Sequence, residues 1–330
     1  PIMQQGKPPA GRPGSQDRAR ALGNDPILPL LVRMAIPATT AMAVTALYNV
    51  VDTIFIGRGV GSLAIGGLSI AFPIQMIVLS IALMMGIGGA SIVSRALGAG
   101  DPARAARAVG TAYGTLWLLC AVVVVAGLLL ADELLVLFGA TPQLLPYARP
   151  YLVTVIPGTP FIASAIASNH LIRSEGRASY SMTVVVTGAL LNIALDPLFI
   201  FGLGMGIRGA ALATVIAQFV SFLLAMRFYA LRKSALAVRL RYFIPDFRIL
   251  REMVPIGFPA FIRQFGATFF VIITNNALRR YGGEMQIAAF GVILRVLRFA
   301  VMPLIGIGHG FHPIVGYNFG AGNLSRVREA

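Results

Sequence analysis

The sequence predicts an all-α polytopic membrane protein: a two-lobe fold of parallel six-helix repeats, of which these residues carry eight transmembrane helices. Hydrophobic residues make up 57% of the 330 positions and charged residues only 12%, whereas a soluble domain is usually about a quarter charged. Apolar runs of roughly 20 residues recur, the length that crosses a hydrocarbon layer of about 30 Å as a helix. Prolines and glycines also repeat at one constant offset. A soluble fold is therefore excluded.

Eight hydrophobic segments account for the apolar runs, and glycine or proline signals separate most of them. Among these breaks are "GRGVGS", "GAGDP", "FGATPQ" and "SEGRAS". The longest segments are long enough to tilt or to extend past the bilayer. The predicted helices cover residues 27–57, 62–94, 105–131, 148–170, 178–202, 206–230, 251–280 and 284–316.

The charged residues predict how these helices are oriented. A net charge of +15 is a topology signal in a membrane chain rather than a nucleic-acid-binding surface, because Lys and Arg accumulate in cytosolic loops. With the N-terminus inside, most of the 27 Lys and Arg residues lie on the cytosolic side. We therefore expect a multi-pass protein whose N-terminus is cytoplasmic.

Two basic stretches flank the first group of helices. Residues 1–25, rich in Pro, Gly and Arg, predict a disordered cytosolic leader. Residues 231–250, "LRKSALAVRLRYFIPDFRIL", predict a linker between lobes that lies on the anionic inner leaflet as an amphipathic segment.

An internal repeat divides the chain into an N-lobe, residues 26–230, and a partial C-lobe, residues 251–330. One constant offset pairs Pro37 with Pro259, Gly86 with Gly308, Gly88 with Gly310, and "IVSRALGAGDPAR" with "IVGYNFGAGNLSR". Duplicated halves are typical of transporters, whose sites lie near the repeat interface. An even number of helices in the first copy makes the repeats parallel. Because the second copy stops after its second helix, we expect a C-terminally incomplete piece of a twelve-helix protein.

Several classes of chemistry are disfavoured by composition. The single Cys120 excludes an internal disulfide and a cysteine-based metal site. His170, His309 and His312 are too few and too scattered for a catalytic metal centre, and indicate local polar packing instead. Because no nucleophile–base constellation appears either, we expect no enzyme activity and no cofactor.

Two carboxylates lie inside the predicted spans, Asp52 in the first and Asp196 in the fifth. A buried membrane charge is costly and usually faces a cavity or a partner. Both residues lie a few residues before the outer end of a helix that runs outward, so their depths agree. Asn192 precedes Asp196 by one turn, and Thr214 reaches the same level on the returning sixth helix. These oxygens favour a coupling site for H⁺ or Na⁺, although Asp196 alone capping a neighbouring helix is the simpler alternative.

Pro37 lies on the same predicted helix as Asp52, fifteen residues earlier. Proline removes one backbone hydrogen bond and permits a kink. Either this helix bends there when the charge on Asp52 changes, or the proline gives a static bend.

Four stretches resemble the multidrug and toxic compound extrusion (MATE) family of the MOP flippase superfamily, from about residue 27 to the end. They are "YNVVDTIFIGRGVGSLAIGGL" (48–68), "IRSEGRASYSM" (172–182), "LLNIALDPLFIFGLGMGIRGAALATVIAQ" (190–218) and "MPLIGIGHGFHPIVGYNFGAGNLSRVREA" (302–330). The resemblance implies a monomeric twelve-helix antiporter in the bacterial inner membrane, exporting drugs and organic cations in exchange for H⁺ or Na⁺. It also implies Asp52, Asn192, Asp196 and Thr214 as the cation site, which would be the metal site for Na⁺, and Pro37 as the bend point.

The chain departs from the family pattern in its last two segments. Related members often have Gln-Gly-Phe-Gln-Pro where this chain has "HGFHP" with His309 and His312. Residues 262–276 contain no carboxylate, and Thr274 is the repeat mate of Asp52. These departures favour coupling through the N-lobe.

Arg263, Arg295 and Arg298 lie near the middle of the last two predicted helices, and they leave a second function possible. They either snorkel or line a water-filled cavity between the lobes, and the second reading admits a flippase for anionic lipid-linked saccharides. A channel or non-transporting scaffold is a further alternative, since it needs no titrating pair. The candidate cavity-lining residues are Arg263, Gln264, Asn275, Asn276, Arg295 and Arg298.

Overall fold

The computed structural model describes residues 13–231, 233–281 and 284–330, and every regular element within these ranges is helical. The all-α fold class is therefore confirmed. The helices are α1 Pro13–Asn24, α2 Ile27–Gly59, α3 Ser62–Gly98, α4 Pro102–Leu129, α5 Ala131–Leu137, α6 Leu145–Val155, α7 Thr159–Ser174, α8 Ala178–Pro197, α9 Gly206–Ala230, α10 Phe247–Tyr281, α11 Glu284–Gly320 and α12 Leu324–Glu329.

The long helices match the eight predicted segments. Within the residues searched, six stretches have the length and composition to cross a membrane: α2, most of α3, α4, α6 through α7, α8 with the turn after it, and α9. Helices α10 and α11, of 35 and 37 residues, occupy the seventh and eighth predicted positions. The protein is a multi-pass membrane protein.

The fourth predicted helix is interrupted. Between α6 and α7 a short 3₁₀ turn covers Ile156–Gly158. Pro157 and Pro160 cannot donate backbone hydrogen bonds, so they weaken a continuous α-helix at this point. The short helix α5 was not predicted; Arg149 Nε donates to Asp132 Oδ1 at 2.7 Å and ties α6 to it.

The end of the predicted leader is ordered, contrary to the expectation for residues 1–25. Helix α1 covers its second half, and Leu22 on this helix is fully buried. Asn318 Nδ2 of α11 donates to the Leu22 carbonyl oxygen at 2.9 Å. The rest of the predicted leader, residues 1–12, lies outside the described residues. The apolar face that α1 presents to α11 is the physical reason for its folding.

The linker packs partly inside the protein, so it is not the amphipathic surface segment that the sequence predicts over its whole length. Ser234, Ala235 and Leu236 are buried, and a 3₁₀ turn follows at Leu240–Phe243. The ring of Phe243 stacks on the ring of Tyr113 in α4, with centroids 6.0 Å apart. Leu240 and its neighbours remain exposed, but the buried stretch fixes this connection to the first group of helices.

The two halves of the chain meet along a seam formed by α10 against α3 and α11 against α2. These two pairings are equivalent under the internal repeat, which relates α2 to α10 and α3 to α11. The backbone of Met253 lies against Gly88 and that of Leu31 against Gly310. At the repeat offset, Gly88 corresponds to Gly310 and Leu31 corresponds to Met253. The repeat seen in the sequence therefore appears as matched helix packing.

The two halves of the chain contact each other most closely at one end of the bundle. This end contains Asp25, Ala99 and Leu231, and we call it the basic end. Arg104 and Glu252 form an ion pair there at 2.7 Å. Arg326 donates to the Asp25 carbonyl oxygen at 2.6 Å. Farther from this end, the side chains of Phe269, Phe270 and Ile273 on α10 are half or more exposed. The described contacts therefore close the seam at the basic end.

Candidate cation-coupling site

Three neighbouring helices bring the four predicted cation-site residues together. Asp52 lies on α2, Asn192 and Asp196 lie on α8, and Thr214 lies on α9. The carboxyl groups of Asp52 and Asp196 lie within hydrogen-bonding reach of each other. The two carboxylates that the sequence predicts at the same depth are therefore neighbours in the structure.

Asn192 links Asp196 to α9. We assign its amide so that Nδ2 donates to Asp196 Oδ2 at 3.2 Å and Oδ1 accepts from the Thr214 backbone N–H at 3.3 Å. This orientation satisfies both ends of the amide, whereas the reverse makes Oδ1 face only acceptors. The Thr214 hydroxyl donates to the Ala210 carbonyl oxygen at 3.1 Å. Its remaining lone pair is available at the edge of the site.

The site is incompletely satisfied without a bound positive charge. Asp196 is 0% exposed and Asn192 2% exposed, while Asp52 is half-buried. One oxygen of each carboxyl group, Oδ1, has no hydrogen-bond partner in the described part of the chain. A buried carboxylate without a partner is costly, and two adjacent ones more so. A proton shared by the pair removes this cost, as does a hard cation held by carboxylate, amide and hydroxyl oxygens.

Two tyrosines that the sequence analysis missed border the pair. Tyr48 and Tyr151 both lie close enough to Asp52 and Asp196 to feel their charge. Gln75 Nε2 donates to the Tyr151 hydroxyl at 2.9 Å. Tyr48 precedes Asp52 by one helical turn, so spacing alone was a usable signal. Tyr151 comes from α6, and no local pattern connects it to either acid.

The backbone changes immediately after Asp196. Pro197 ends α8, and a π-turn follows over Leu198–Gly202, with the Leu203 N–H donating to the Leu198 carbonyl oxygen at 2.9 Å. Single π-turns of this kind occur often at functional sites. Here the turn closes the site where the chain reverses into α9.

Pro37 lies inside α2, buried, and α2 continues past it to Gly59. The helix is therefore not broken there, and bending at Pro37 remains a prediction. Of the predicted cavity-lining residues, Arg263 is exposed and Gln264 half-buried, with Gln264 Nε2 directed at Met76 Sδ at 3.4 Å. The side chains of Asn275, Asn276, Arg295 and Arg298 lie outside the described residues.

A second buried carboxyl group, Glu175, lies outside the membrane spans in the turn after α7 and holds the linker. Its Oε2 accepts from Ser234 Oγ at 2.7 Å and from the Ala235 N–H at 2.8 Å. Glu175 is 1% exposed, and its Oε1 has no partner among the described groups. Burial raises the pKa of Glu175 to about 7, although the two hydrogen bonds and Arg177 act to lower it. This contact joins residues 59 apart in the sequence.

We expect Glu175→Gln to remove one pH-dependent part of the protein's stability. Because the folded pKa of about 7 exceeds that of an unfolded glutamate, about 4.3, the folded state binds more protons between these values. Wild-type stability therefore falls relative to the variant as pH rises from about 4.5 to about 7, by on the order of 3 kcal/mol. Thermal unfolding of both proteins in detergent at pH 5 and pH 8 measures the difference. The control Glu133→Gln, at an exposed position, keeps Glu175 and should show the same change between the two pH values as wild type; a pH-independent difference between wild type and Glu175→Gln would contradict this role.

Comparison with known proteins places the chain among membrane transporters. The MatE family model matches residues 37–198 and 259–330. The multidrug export protein MepA of Staphylococcus aureus (strain MRSA252) is 27% identical over 305 residues, which are 92% of this chain and 67% of MepA. The chain thus spans about two thirds of the length of this relative.

Solved structures agree with this placement. The MATE multidrug transporter DinF-BH, in complex with R6G, is 41% identical with a TM-score of 0.85, covering 93% of this chain and 69% of that one. A MOP superfamily transporter from Pyrococcus furiosus, described as having a binding pocket of reverse polarity that suggests a different function, is 28% identical with a TM-score of 0.87. That match covers 94% of this chain and 68% of the other. The family match extends over most of the chain, and members of this family are secondary transporters rather than enzymes: the chain belongs to the MatE family.

Proposed function

We propose that this protein is a multidrug efflux antiporter of the bacterial inner membrane, which exports organic, mostly cationic compounds in exchange for H⁺ or Na⁺. The observation that carries the proposal is the adjacent Asp52 and Asp196 carboxyl groups, each with an oxygen that lacks a partner in the described structure. A group that must be neutralised can couple ion binding to another event. The names of MepA and DinF-BH support drugs as the exported compounds.

The distribution of charge supports an orientation with the basic end in the cytosol. In that orientation the closed seam faces the cytosol. The closed seam at the basic end supports an outward-open state, in which external H⁺ or Na⁺ reaches the Asp52–Asp196 pair.

The proposed cycle has three steps. An external ion occupies the pair and neutralises it. Helix α2, which carries Asp52, then bends near Pro37 and narrows the space between the lobes, so that the drug leaves outward. Rocking of the two lobes about the seam next opens the basic end and lets the ion leave to the cytosol. In this cycle the ion and the drug stabilise different conformations, as antiport requires.

An anionic-lipid flippase is the second candidate function. The exposed Arg263, without an ion pair in the described part of the chain, favours it, and a relative with a pocket of reversed polarity exists in the superfamily. The buried acidic pair favours the antiporter, because flipping an anionic lipid requires no titrating carboxyl groups.

Transport in proteoliposomes tests the proposal and identifies the ion. We expect accumulation of rhodamine 6G, a lipophilic organic cation, when either a pH gradient or a sodium gradient is imposed across vesicles containing the protein. Collapsing the two gradients separately, with nigericin or with equal Na⁺ on both sides, shows which ion drives uptake. Equal dye movement with no gradient would indicate a channel, and movement of a fluorescent anionic lipid without dye transport would indicate a flippase.

A further inference from the structure

Five basic side chains from three helices meet at the seam, and the cation-coupling site uses none of them. They are His170 and Arg173 of α7, Arg263 of α10, and His309 and His312 of α11. The rings of His170 and His309 pack edge to face with centroids 5.3 Å apart. Arg263 and His312 are close enough to act electrostatically on His170. We call these five residues the basic cluster.

Arg173 is the innermost member of the basic cluster, with 4% of its surface exposed. One of its terminal nitrogens lies 3.1 Å from His170 Nδ1. A guanidinium group can only donate and stays charged in proteins, so Nδ1 of His170 must accept. His170 is therefore neutral and carries its proton on Nε2, which leaves a second N–H donor in the cluster.

The described structure provides no negative charge to balance the basic cluster. Its ion pairs are Arg33–Asp25, Arg104–Glu252 and Arg149–Asp132, and none of them involves Arg173 or Arg263. The charged groups that act on His170, His309 and His312 are arginines and histidines only. A buried guanidinium opposed only by a neutral imidazole is costly, and an anion would remove that cost.

Exposure within the basic cluster decreases from the seam inward. Arg263 and His312 are exposed, His309 is half-buried, and His170 and Arg173 are buried. A ligand entering between the lobes would meet the outer pair first. Its charged group would then reach donors on three helices, including the planar fork of Arg173, which matches the two oxygens of an oxyanion.

We propose that the basic cluster binds an oxyanion group, a carboxylate or a phosphate, carried by an amphipathic compound that enters between the lobes. This rests on the proposed function for the route of entry and assigns the site that would hold the acidic group of such a compound. The acidic pair lies on α2 and α8, and the basic cluster on α7, α10 and α11. The basic cluster is therefore a site separate from the cation-coupling site.

The test compares two dyes that differ in one group. Rhodamine 6G is an ester and a cation, whereas its parent acid, rhodamine 19, is a zwitterion with a free carboxylate. Fluorescence polarisation gives the Kd of each for the purified protein in detergent. We expect Arg173→Gln and Arg263→Gln to weaken binding of the acid about tenfold and to leave binding of the ester unchanged. Arg263 is exposed, so its replacement keeps the test valid if Arg173→Gln does not fold.

An arginine outside the cluster provides the control. Arg227→Gln, in the exposed last turn of α9, removes the same charge and should change neither Kd. Dihexanoyl phosphatidic acid and inorganic phosphate, added as competitors, distinguish a lipid headgroup from a free anion. The proposal is overturned if wild-type protein does not bind the acid, or if Arg263→Gln weakens the binding of both dyes equally. Because no ion gradient is used, failure of antiport is a separate result, seen only in the proteoliposomes.

Discussion

We expect replacement of Asp196 by Asn to abolish ion-driven drug transport, and replacement of Asp52 by Asn to have the same effect. Each variant keeps the shape of the side chain but removes the group that takes up the ion. Typical coupling between two ligands is about 1–3 kcal/mol, or roughly 5- to 150-fold. Losing it should reduce gradient-driven uptake of rhodamine 6G in proteoliposomes to the level of protein-free vesicles. Asp196 is fully buried, where a charged side chain is costly. The neutral Asn should therefore not destabilise the fold.

Asp132→Asn provides the matched control. Asp132 is exposed and pairs with Arg149 at the end of the bundle opposite the basic end, where an ion pair contributes at most about 1 kcal/mol. Its replacement should leave uptake unchanged. Normal gradient-driven uptake by both Asp52→Asn and Asp196→Asn would remove the basis of the coupling site.

We expect a single added methyl group at Gly257 to open the seam. The Cβ of an alanine there would meet the backbone oxygen of Met84 on α3, and backbone cannot move aside as a flexible side chain can. Separating α10 from α3 should cost about 1–3 kcal/mol, which shifts the population of the closed basic end by roughly 5- to 150-fold. Spin labels at Arg107→Cys on α4 and Ser325→Cys on α12, measured by electron–electron double resonance, should report longer distances at that end.

Gly266→Ala on the same helix is the control. Apart from the helix's own neighbouring backbone, no atom of the described residues lies within 4 Å of the Cβ position at Gly266, and both substitutions give the same gain in helix propensity. The distance distribution should therefore match that of the labelled protein with Gly257 and Gly266 intact. Identical distributions in the two alanine variants would mean that the contact of Gly257 with Met84 does not hold the seam closed.

Much of this fold is encoded in local sequence patterns. Hydropathy located the long helices to within a few residues, since a membrane helix needs an unbroken apolar run. Glycines and prolines at a constant offset indicated the repeat, and Gly88 and Gly310 occupy equivalent contacts. The burial of Leu22 and of the linker residue Ser234 could not be predicted from local patterns. Their burial depends on α11 and on Glu175, which are distant in the chain.

The acidic part of the site was also predictable, because a carboxyl group is rare within an apolar span and helix depth can be counted. Asp52 and Asp196 were found in this way. Tyr151 was not, because its proximity depends on how α6 packs rather than on spacing. The basic cluster was missed for the same reason: His170 and His309 lie far apart in the sequence, and their rings pack together only across the seam.

The most direct test of the central claim is the affinity of the purified protein for rhodamine 6G as H⁺ and Na⁺ are varied. If the Asp52–Asp196 pair couples the two ligands, lowering the pH from 8 to 6 or adding Na⁺ should weaken dye binding to wild type by roughly 5- to 150-fold. The Asp52→Asn/Asp196→Asn double variant should bind the dye with one Kd under all conditions. A double variant that keeps the ion dependence, or a wild type that shows none, would contradict the claim.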